Sequence, residues 1–220
     1  MGETALLTDE QLYVAWVEGN DRAGRELISR RFGGVRRLLR SLLPAPEVDD
    51  AVQDVFERLS MRAKAGLGVD NVKAFTAGIA RNVVYERLRA RSRQPLDLSE
   101  RSITDILTPN QSAVMIMHEE QRLLLKGLHR LTVDEQILLG LRYWEQLRTR
   151  ELAEILGVNH NTVRTQLRRA QVRLETIIAR LANSPEAVES TFGSLEGWAR
   201  DVRRHFSPEA DEDDPEGLRK

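Results

Sequence analysis

Residues 150–170 read RELAEILGVNHNTVRTQLRRA, and this stretch decides the fold of the second half of the chain. Two short amphipathic runs flank Gly157, and a glycine permits the tight turn between the helices of a helix-turn-helix. Leu152, Val163 and Leu167 belong to the apolar set that we expect in its core. The pattern predicts a DNA-binding unit, and an αα-hairpin with a solvated basic face is the alternative.

Polar side chains cluster on one outward side of the second helix of this motif. They are His160, Asn161, Arg164, Thr165, Arg168 and Arg169. Amide and guanidinium groups at the start of such a helix can read base edges in the major groove, while other arginines bind phosphate. We therefore expect these side chains to contact duplex DNA.

Helical periodicity extends to both sides of the motif, and strand-like alternation is nowhere convincing, so we predict an all-α fold. The predicted architecture has two helical domains, an extended linker and a C-terminal extension. The first domain, with four helices, covers residues 8–93 and the second covers 113–182. Periodicity fails over the linker, 94–112, which contains Pro95 and Pro109. The extension, 183–220, ends in an acidic tail.

Local sequence signals predict where several helices begin. Thr8 with Gln11, and Thr132 with Glu135, have the spacing of capping boxes. Asp21 and Asn159 are the caps that we expect for two further helices. Each of these four predicted helix starts thereby has a specific capping side chain.

Composition excludes several classes of function. The chain has no cysteine, which excludes a disulfide framework, thiolate nucleophiles and the usual structural zinc sites. No apolar run approaches the roughly 20 residues that span a bilayer, and the first residues lack the features of a signal peptide. We expect a cytoplasmic protein that is not an enzyme, has no membrane insertion and needs no cofactor or metal.

Charge is sorted along the chain, although the net charge is only -1. An amphipathic helix near residues 47–59 carries an acidic outer face, which repels DNA and suits a basic protein surface. The next helix, from about residue 72, is strongly basic. Such a surface can hold single-stranded DNA when pocket or aromatic contacts to unstacked bases accompany it. The two helices are therefore expected to have different partners.

Three segments together resemble the extracytoplasmic-function (ECF) group of bacterial RNA polymerase sigma factors, over roughly residues 9–181. Residues 47–59, EVDDAVQDVFERL, look like the polymerase-binding helix of that family, and residues 71–82, NVKAFTAGIARN, resemble its minus-ten and melting helix. The helix-turn-helix is similar to the family's minus-thirty-five reader. Order and spacing match as well.

The resemblance implies a role for each of these surfaces. Polymerase binding is implied for Glu47, Asp49, Asp50, Gln53, Asp54 and Glu57. Contact with the minus-ten element is implied for Lys73, Phe75, Arg81, Asn82, Arg87 and Arg89. The family commonly has Trp where Phe75 stands, so a core role for Phe75 is an equal alternative. The loop of residues 64–71 matches the family's base-capturing loop.

As a whole, the resemblance implies a sigma factor that binds core RNA polymerase, recognises promoters and opens DNA at initiation, for a stress- or signal-responsive regulon. Its expected partners are core polymerase, promoter DNA in duplex and single-stranded form, and an anti-sigma factor. The rival hypothesis is a stand-alone DNA-binding regulator whose first domain dimerises or binds a protein. The extension is either an autoinhibitory segment or a solubilising tail.

Overall fold

The computed structural model describes residues 7–91 and 119–182, except for the side chains of residues 119–122 and 125. These residues form helices joined by short turns, which confirms the all-α prediction. Within the described ranges the helices are α1 (Asp9–Val17), α2 (Asp21–Leu42), α3 (Ala45–Lys64), α4 (Val72–Arg91), α5 (Glu119–His129), α6 (Val133–Tyr143), α7 (Thr149–Leu156) and α8 (His160–Leu181). The predicted linker, 94–112, and the extension, 183–220, lie outside them.

Capping explains where most of these helices begin. The Thr8–Gln11 box is present, with the Gln11 N–H donating to Thr8 Oγ1 at 3.2 Å. The Thr132–Glu135 box is present too, and Asn159 caps α8. The prediction for Asp21 is wrong by one residue, because Asn20 accepts from the backbone N–H groups of residues 22 and 23. Asp21 is the first helical residue, where its carboxylate complements the positive end of the helix dipole.

The first four helices enclose a common core. Helix α2 is continuous through its central Gly33-Gly34 pair, and its apolar stripe packs against α1, α3 and α4. Gly24 lets α1 approach closely, since a Cβ there would lie 2.5 Å from the indole of Trp16. The apolar stripe of α3 is buried, and Val55 and Leu59 are inaccessible to solvent. The polar side of α3 is therefore left outside.

Helices α5 to α8 form the second unit, with α8 packed against the other three. Gly157 ends α7 with φ at +64°, the left-handed conformation that the predicted turn requires. Val163, Leu167 and Leu174 bury one side of α8. This arrangement orients the opposite side of α8 outward.

The two units also pack against each other. Helix α2 meets α6, and α4 meets α7. Gly140 in α6 makes room for α2, because a Cβ at this position would lie 3.1 Å from Leu38 Cδ1. Buried residues of both units consequently belong to one continuous apolar cluster. Among the described residues, no helix has both the length and the apolar character needed to cross a membrane.

Candidate nucleic-acid and protein interfaces

The outer face of α3 presents the acidic surface that the sequence predicts. Asp49, Asp50, Gln53 and Glu57 are exposed, whereas Glu47 and Asp54 are half-buried. Asp49 forms a 3.3 Å ion pair with Arg36 of α2, and its side chain remains 77% exposed. The face thus carries carboxylates that a protein partner can reach without unfolding any element.

Ion pairs connect α3 to the basic helix α4. Asp54 Oδ2 lies 2.5 Å from Arg87 Nη2, and Glu47 contacts Arg91. Farther along, Arg58 forms two hydrogen bonds with Glu86, and this hydrogen bonding lowers the pKa of Glu86. The acidic and basic helices therefore neutralise one another along their shared edge.

The side chains predicted to contact the minus-ten element differ in accessibility along α4. Asn82 and Arg89 are exposed, while Lys73, Phe75, Arg81 and Arg87 are half-buried. Phe75 packs against the core, and the guanidinium of Arg62 lies 4.7 Å from its ring centroid. This supports the core role for Phe75. The Arg62 guanidinium covers one face of the ring, and its positive charge suits a nucleic-acid neighbour.

The loop before α4 is held by two side chains that sequence reasoning did not single out. The hydroxyl of Tyr13 donates to the carbonyl of Leu67 at 3.0 Å, and Arg62 Nη2 donates to the carbonyl of Gly68 at 3.0 Å. Tyr13 is 1% exposed, and its burial raises the pKa of its phenol. These two hydrogen bonds consequently hold the loop backbone against the domain, while the side chain of Leu67 is exposed to solvent.

All the predicted DNA-contacting residues of α8 lie exposed on its first three turns. These residues are His160, Asn161, Arg164, Thr165, Arg168 and Arg169. The Thr165 hydroxyl donates to the Asn161 carbonyl at 3.0 Å, and Thr165 Oγ1 can still accept a hydrogen bond. The positive end of a helix dipole favours a phosphate at this position. The structure thus brings together a polar, cationic surface of the shape that enters a major groove.

Comparisons with known proteins agree with this geometry. The family profile described as Sigma-70 region 2 matches residues 27–94, and Sigma-70, region 4 matches residues 121–174. The chain is 27% identical over 183 residues to the ECF RNA polymerase sigma-E factor of Haemophilus influenzae, covering 78% of this chain and 96% of the relative. It is 29% identical over 159 residues to the RNA polymerase sigma-E factor of Streptomyces coelicolor, covering 70% and 86%.

The chain belongs to the ECF group of RNA polymerase sigma factors.

A solved structure also resembles this sigma factor. The complex of CnrH with the cytosolic domain of CnrY matches it with a TM-score of 0.58 and 19% identity, covering 80% of this chain and 100% of that one. At this identity the likeness concerns the fold alone. It agrees with the all-α architecture described above.

Family membership confirms the predicted function in outline. The protein is a promoter-recognising sigma factor, a non-catalytic initiation factor whose partners are core RNA polymerase and promoter DNA. The region 2 match contains the whole of α3 and α4, and the region 4 match contains α7 and the exposed residues of α8. The rival hypothesis of a stand-alone regulator does not account for the region 2 match.

Several residues that shape the candidate interfaces of this sigma factor were missed by sequence reasoning. Tyr85 lies under two guanidinium groups, with Arg81 4.5 Å and Arg89 5.7 Å from its ring centroid. The spacing of these residues along α4 contains a signal, because positions four apart meet on one helix face. Tyr13 and Arg62 carried no such signal, since their partners depend on how the helices pack.

Proposed function

We propose that the exposed acidic face of α3 is the surface that binds core polymerase. Asp49, Asp50, Gln53 and Glu57 project from a helix whose apolar side is fixed in the domain core, so the face is rigid. Glu47 and Asp54 lie at its edge, each paired with an arginine of α4. A basic protein surface can take up these carboxylates by charge complementarity, which raises the association rate and fixes orientation.

We assign contact with the minus-ten element to α4 and to the loop of residues 64–71. Asn82 and Arg89 are exposed on α4, and Lys73, Phe75, Arg81 and Arg87 flank them. Cationic side chains close to aromatic rings suit a single strand whose bases are unstacked. Binding can open the duplex without ATP if flipped bases gain more than their stacking and pairing cost, roughly a few kcal/mol.

The exposed side of α8 is assigned to the minus-thirty-five element as duplex DNA. Its amide and guanidinium side chains can read base edges while its first turn approaches a phosphate. The predicted linker would then join two readers of one promoter, so that binding by one raises the effective concentration of the other. Domain boundaries of 8–93 and 113–182 follow from this division.

The same proposal includes the cellular location, the regulon and a regulatory partner of this sigma factor. A sigma factor that works on chromosomal DNA is assigned to the cytoplasm, and its group favours a stress- or signal-responsive regulon. The solved neighbour CnrH is in complex with the cytosolic domain of CnrY. On that basis we include an anti-sigma factor among the partners of this chain.

The observation that carries the proposal is the exposure of Asp50 and Glu57 on the outer face of α3. The double substitution Asp50→Lys/Glu57→Lys is expected to weaken core binding by tenfold or more, because it places cations against a basic partner. Binding is measured by size-exclusion chromatography and fluorescence titration with purified core polymerase at low salt.

The control is Glu18→Lys, which reverses the charge of a single exposed acid at the end of α1, away from α3. It is expected to bind core polymerase as the parent chain does. Equal binding by the α3 double variant and the parent would overturn the assignment of this face, whereas loss in both variants would point to net charge alone.

A further inference from the structure

A cavity lined by arginines lies beside the last turns of α8, where the end of α5 packs against it. Its volume is about 420 Å³, and it is lined by Arg130, Arg173, Thr176, Ile177 and Arg180. Arg130 directly follows α5, and the other four residues belong to α8. None of them is part of the surfaces assigned above to polymerase or to promoter DNA. Three guanidinium groups around one cavity form a site for a negatively charged ligand.

The packing of α5 on α8 brings these arginines together. Arg173 and Arg180 are seven residues, or about two turns, apart, so they lie on one side of α8. Gly127 lets α5 approach this helix closely, because a Cβ at position 127 would lie 2.8 Å from Ile178 Cγ1. Arg130 comes one turn after Gly127 and consequently reaches the same cavity from the α5 side.

The positive charge of the cavity is only partly neutralised. Arg173 Nη1 lies 3.4 Å from Glu135 Oε1, which is longer than the roughly 2.7–2.9 Å of a strong charge-assisted hydrogen bond. The side chain of Arg173 remains 53% exposed. Arg130 and Arg180 are exposed as well, and neither has an acidic partner within residues 7–91 and 119–182. The cavity can therefore accept additional negative charge.

The same chain contains an acidic segment that can reach this cavity. The described residues end at Ala182, next to Arg180, and residues 183–208 separate that end from the acidic tail. A flexible chain of that length spans roughly 28 Å, and an extended one spans about 85 Å. Arg173 is only about 14 Å from residue 182 along the helix. The acidic tail, residues 209–216, contains Glu209, Asp211, Glu212, Asp213, Asp214 and Glu216.

We propose that the arginine cavity is the docking site of the acidic tail of this chain. Side chains three residues apart in a polyproline II peptide lie on one side, about 9 Å from each other. Arg173 and Arg180 are about 10.5 Å apart along α8, so Asp211 and Asp214 can pair with both. Exposed ion pairs are weak singly, but the covalent tether gives the tail a high effective concentration at the cavity.

Docking in this cavity is compatible with DNA binding by α8. Nine residues, or two and a half turns, separate Arg173 from Arg164, so the two side chains point to opposite sides of the helix. Arg180 is farther still from the residues assigned to the minus-thirty-five element. The docked tail thus leaves these residues open to DNA, whereas a released tail competes with phosphates for their positive charge.

A nitroxide label on the tail tests the docking in the free, full-length protein. The chain has no cysteine, so Ala210→Cys places a single label within the acidic tail. At low salt, the amide NMR signals of residues 176–180 are expected to lose at least half their intensity relative to the sample with the reduced label. Residues 160–164 should keep most of theirs. Absence of broadening at the cavity, or equal broadening at residues 160–164, would overturn the proposal.

Charge reversal of the cavity provides the second test. Arg130→Glu/Arg180→Glu, at two exposed positions, is expected to reduce the broadening at residues 176–179 at least threefold, with circular dichroism unchanged. The control is Arg22→Glu/Arg25→Glu, which makes the same change of net charge at exposed positions of α2. It should retain the parent broadening. An equal reduction in both variants would assign the effect to net charge and overturn a specific site.

A third variant changes the acidic tail and leaves every described residue as it is. Asp211→Asn/Asp213→Asn/Asp214→Asn, in the labelled chain, is expected to reduce the broadening at the cavity at least threefold. Unchanged broadening would show that carboxylates do not hold the tail there. None of these measurements uses polymerase or DNA, so their outcome is independent of the faces assigned to either partner.

Discussion

The turn of the helix-turn-helix depends on the backbone of a single residue. Gly157 has φ at +64°, and a Cβ there would meet no atom within 4 Å, so its role is conformational rather than steric. Gly157→Ala is therefore expected to lower the free energy of unfolding by about 1 kcal/mol, the cost of a left-handed alanine. Urea denaturation followed by circular dichroism measures the change.

Two further substitutions test whether the left-handed backbone of Gly157 causes this loss of stability. Gly157→Asn should recover part of the loss, because asparagine tolerates the left-handed region better than alanine. Gly68→Ala, in a loop position that is also open to solvent, should change stability little. A loss at Gly68 equal to that at Gly157 would contradict the backbone argument.

His129, near the end of α5, makes the stability of the second domain depend on pH. Burial lowers its pKa from the ordinary value of 6.5. The unfolded chain therefore binds a proton at a higher pH than the folded chain. The stabilisation is present in full above about pH 6.5 and is lost as the pH falls towards the folded pKa.

Urea midpoints at pH 7.5 and pH 5.5 measure this effect. The parent chain is expected to lose stability at pH 5.5, and His129→Gln should reduce the difference between the two midpoints. His160→Gln, at an exposed position of α8, is the control and should retain the parent difference. A pH response unaltered by His129→Gln would assign it to other groups.

The sequence predicts the contacts of a single residue well when its partners lie close to it in the chain. Thr8, Thr132 and Asn159 cap their helices as predicted, since a cap needs only the next three residues. The cap at Asn20 was misplaced to Asp21, because both residues are good caps and only the backbone decides. Glu145 and Tyr13 could not be predicted, since their partners lie 114 and 54 residues away.

At the scale of the element, the first three turns of α8 carry the proposed DNA contacts and its last turns do not. Arg164→Ala is expected to weaken binding to a minus-thirty-five duplex by about 1 to 3 kcal/mol if its guanidinium contacts a base. Holoenzyme binding to that duplex and to unrelated DNA, compared by fluorescence anisotropy, measures the loss and its specificity.

Arg180→Ala supplies the matched control on the same helix. Arg180 is exposed 16 residues farther along, about 24 Å from Arg164 on an α-helix. It is expected to leave binding to the minus-thirty-five duplex unchanged. A loss in Arg164→Ala that is equal on unrelated DNA would instead make Arg164 a phosphate contact.

The amphipathic pattern was sufficient to predict α3 and α4 and their opposite charges. It did not predict that Asp54 pairs with Arg87 and Glu47 with Arg91. Periodicity gives the direction of each side chain about its own axis. It contains no information on the angle or register at which two helices meet, and ion pairs between helices depend on both.

At the scale of the whole molecule, sequence predicted two helical domains and the structure places them in contact. The apolar stripes accounted for the interior of each domain. The contact between domains uses Asn71, Tyr85 and Gln136, polar residues that look like ordinary surface positions in the sequence. Composition could not indicate that such residues meet, because their pairing exists only after both domains have folded. The domain limits themselves remain a prediction.

The ion pair between Asp54 and Arg87 has a consequence for how this factor behaves before it finds its enzyme. The Asp54 carboxylate can pair with Arg87 or with an incoming cation of polymerase, and it cannot bind both at full strength. Recruitment of Asp54 by the enzyme would release Arg87 towards a phosphate. The unaccompanied factor is thereby expected to hold DNA phosphates less firmly through Arg87 than the polymerase-bound factor does.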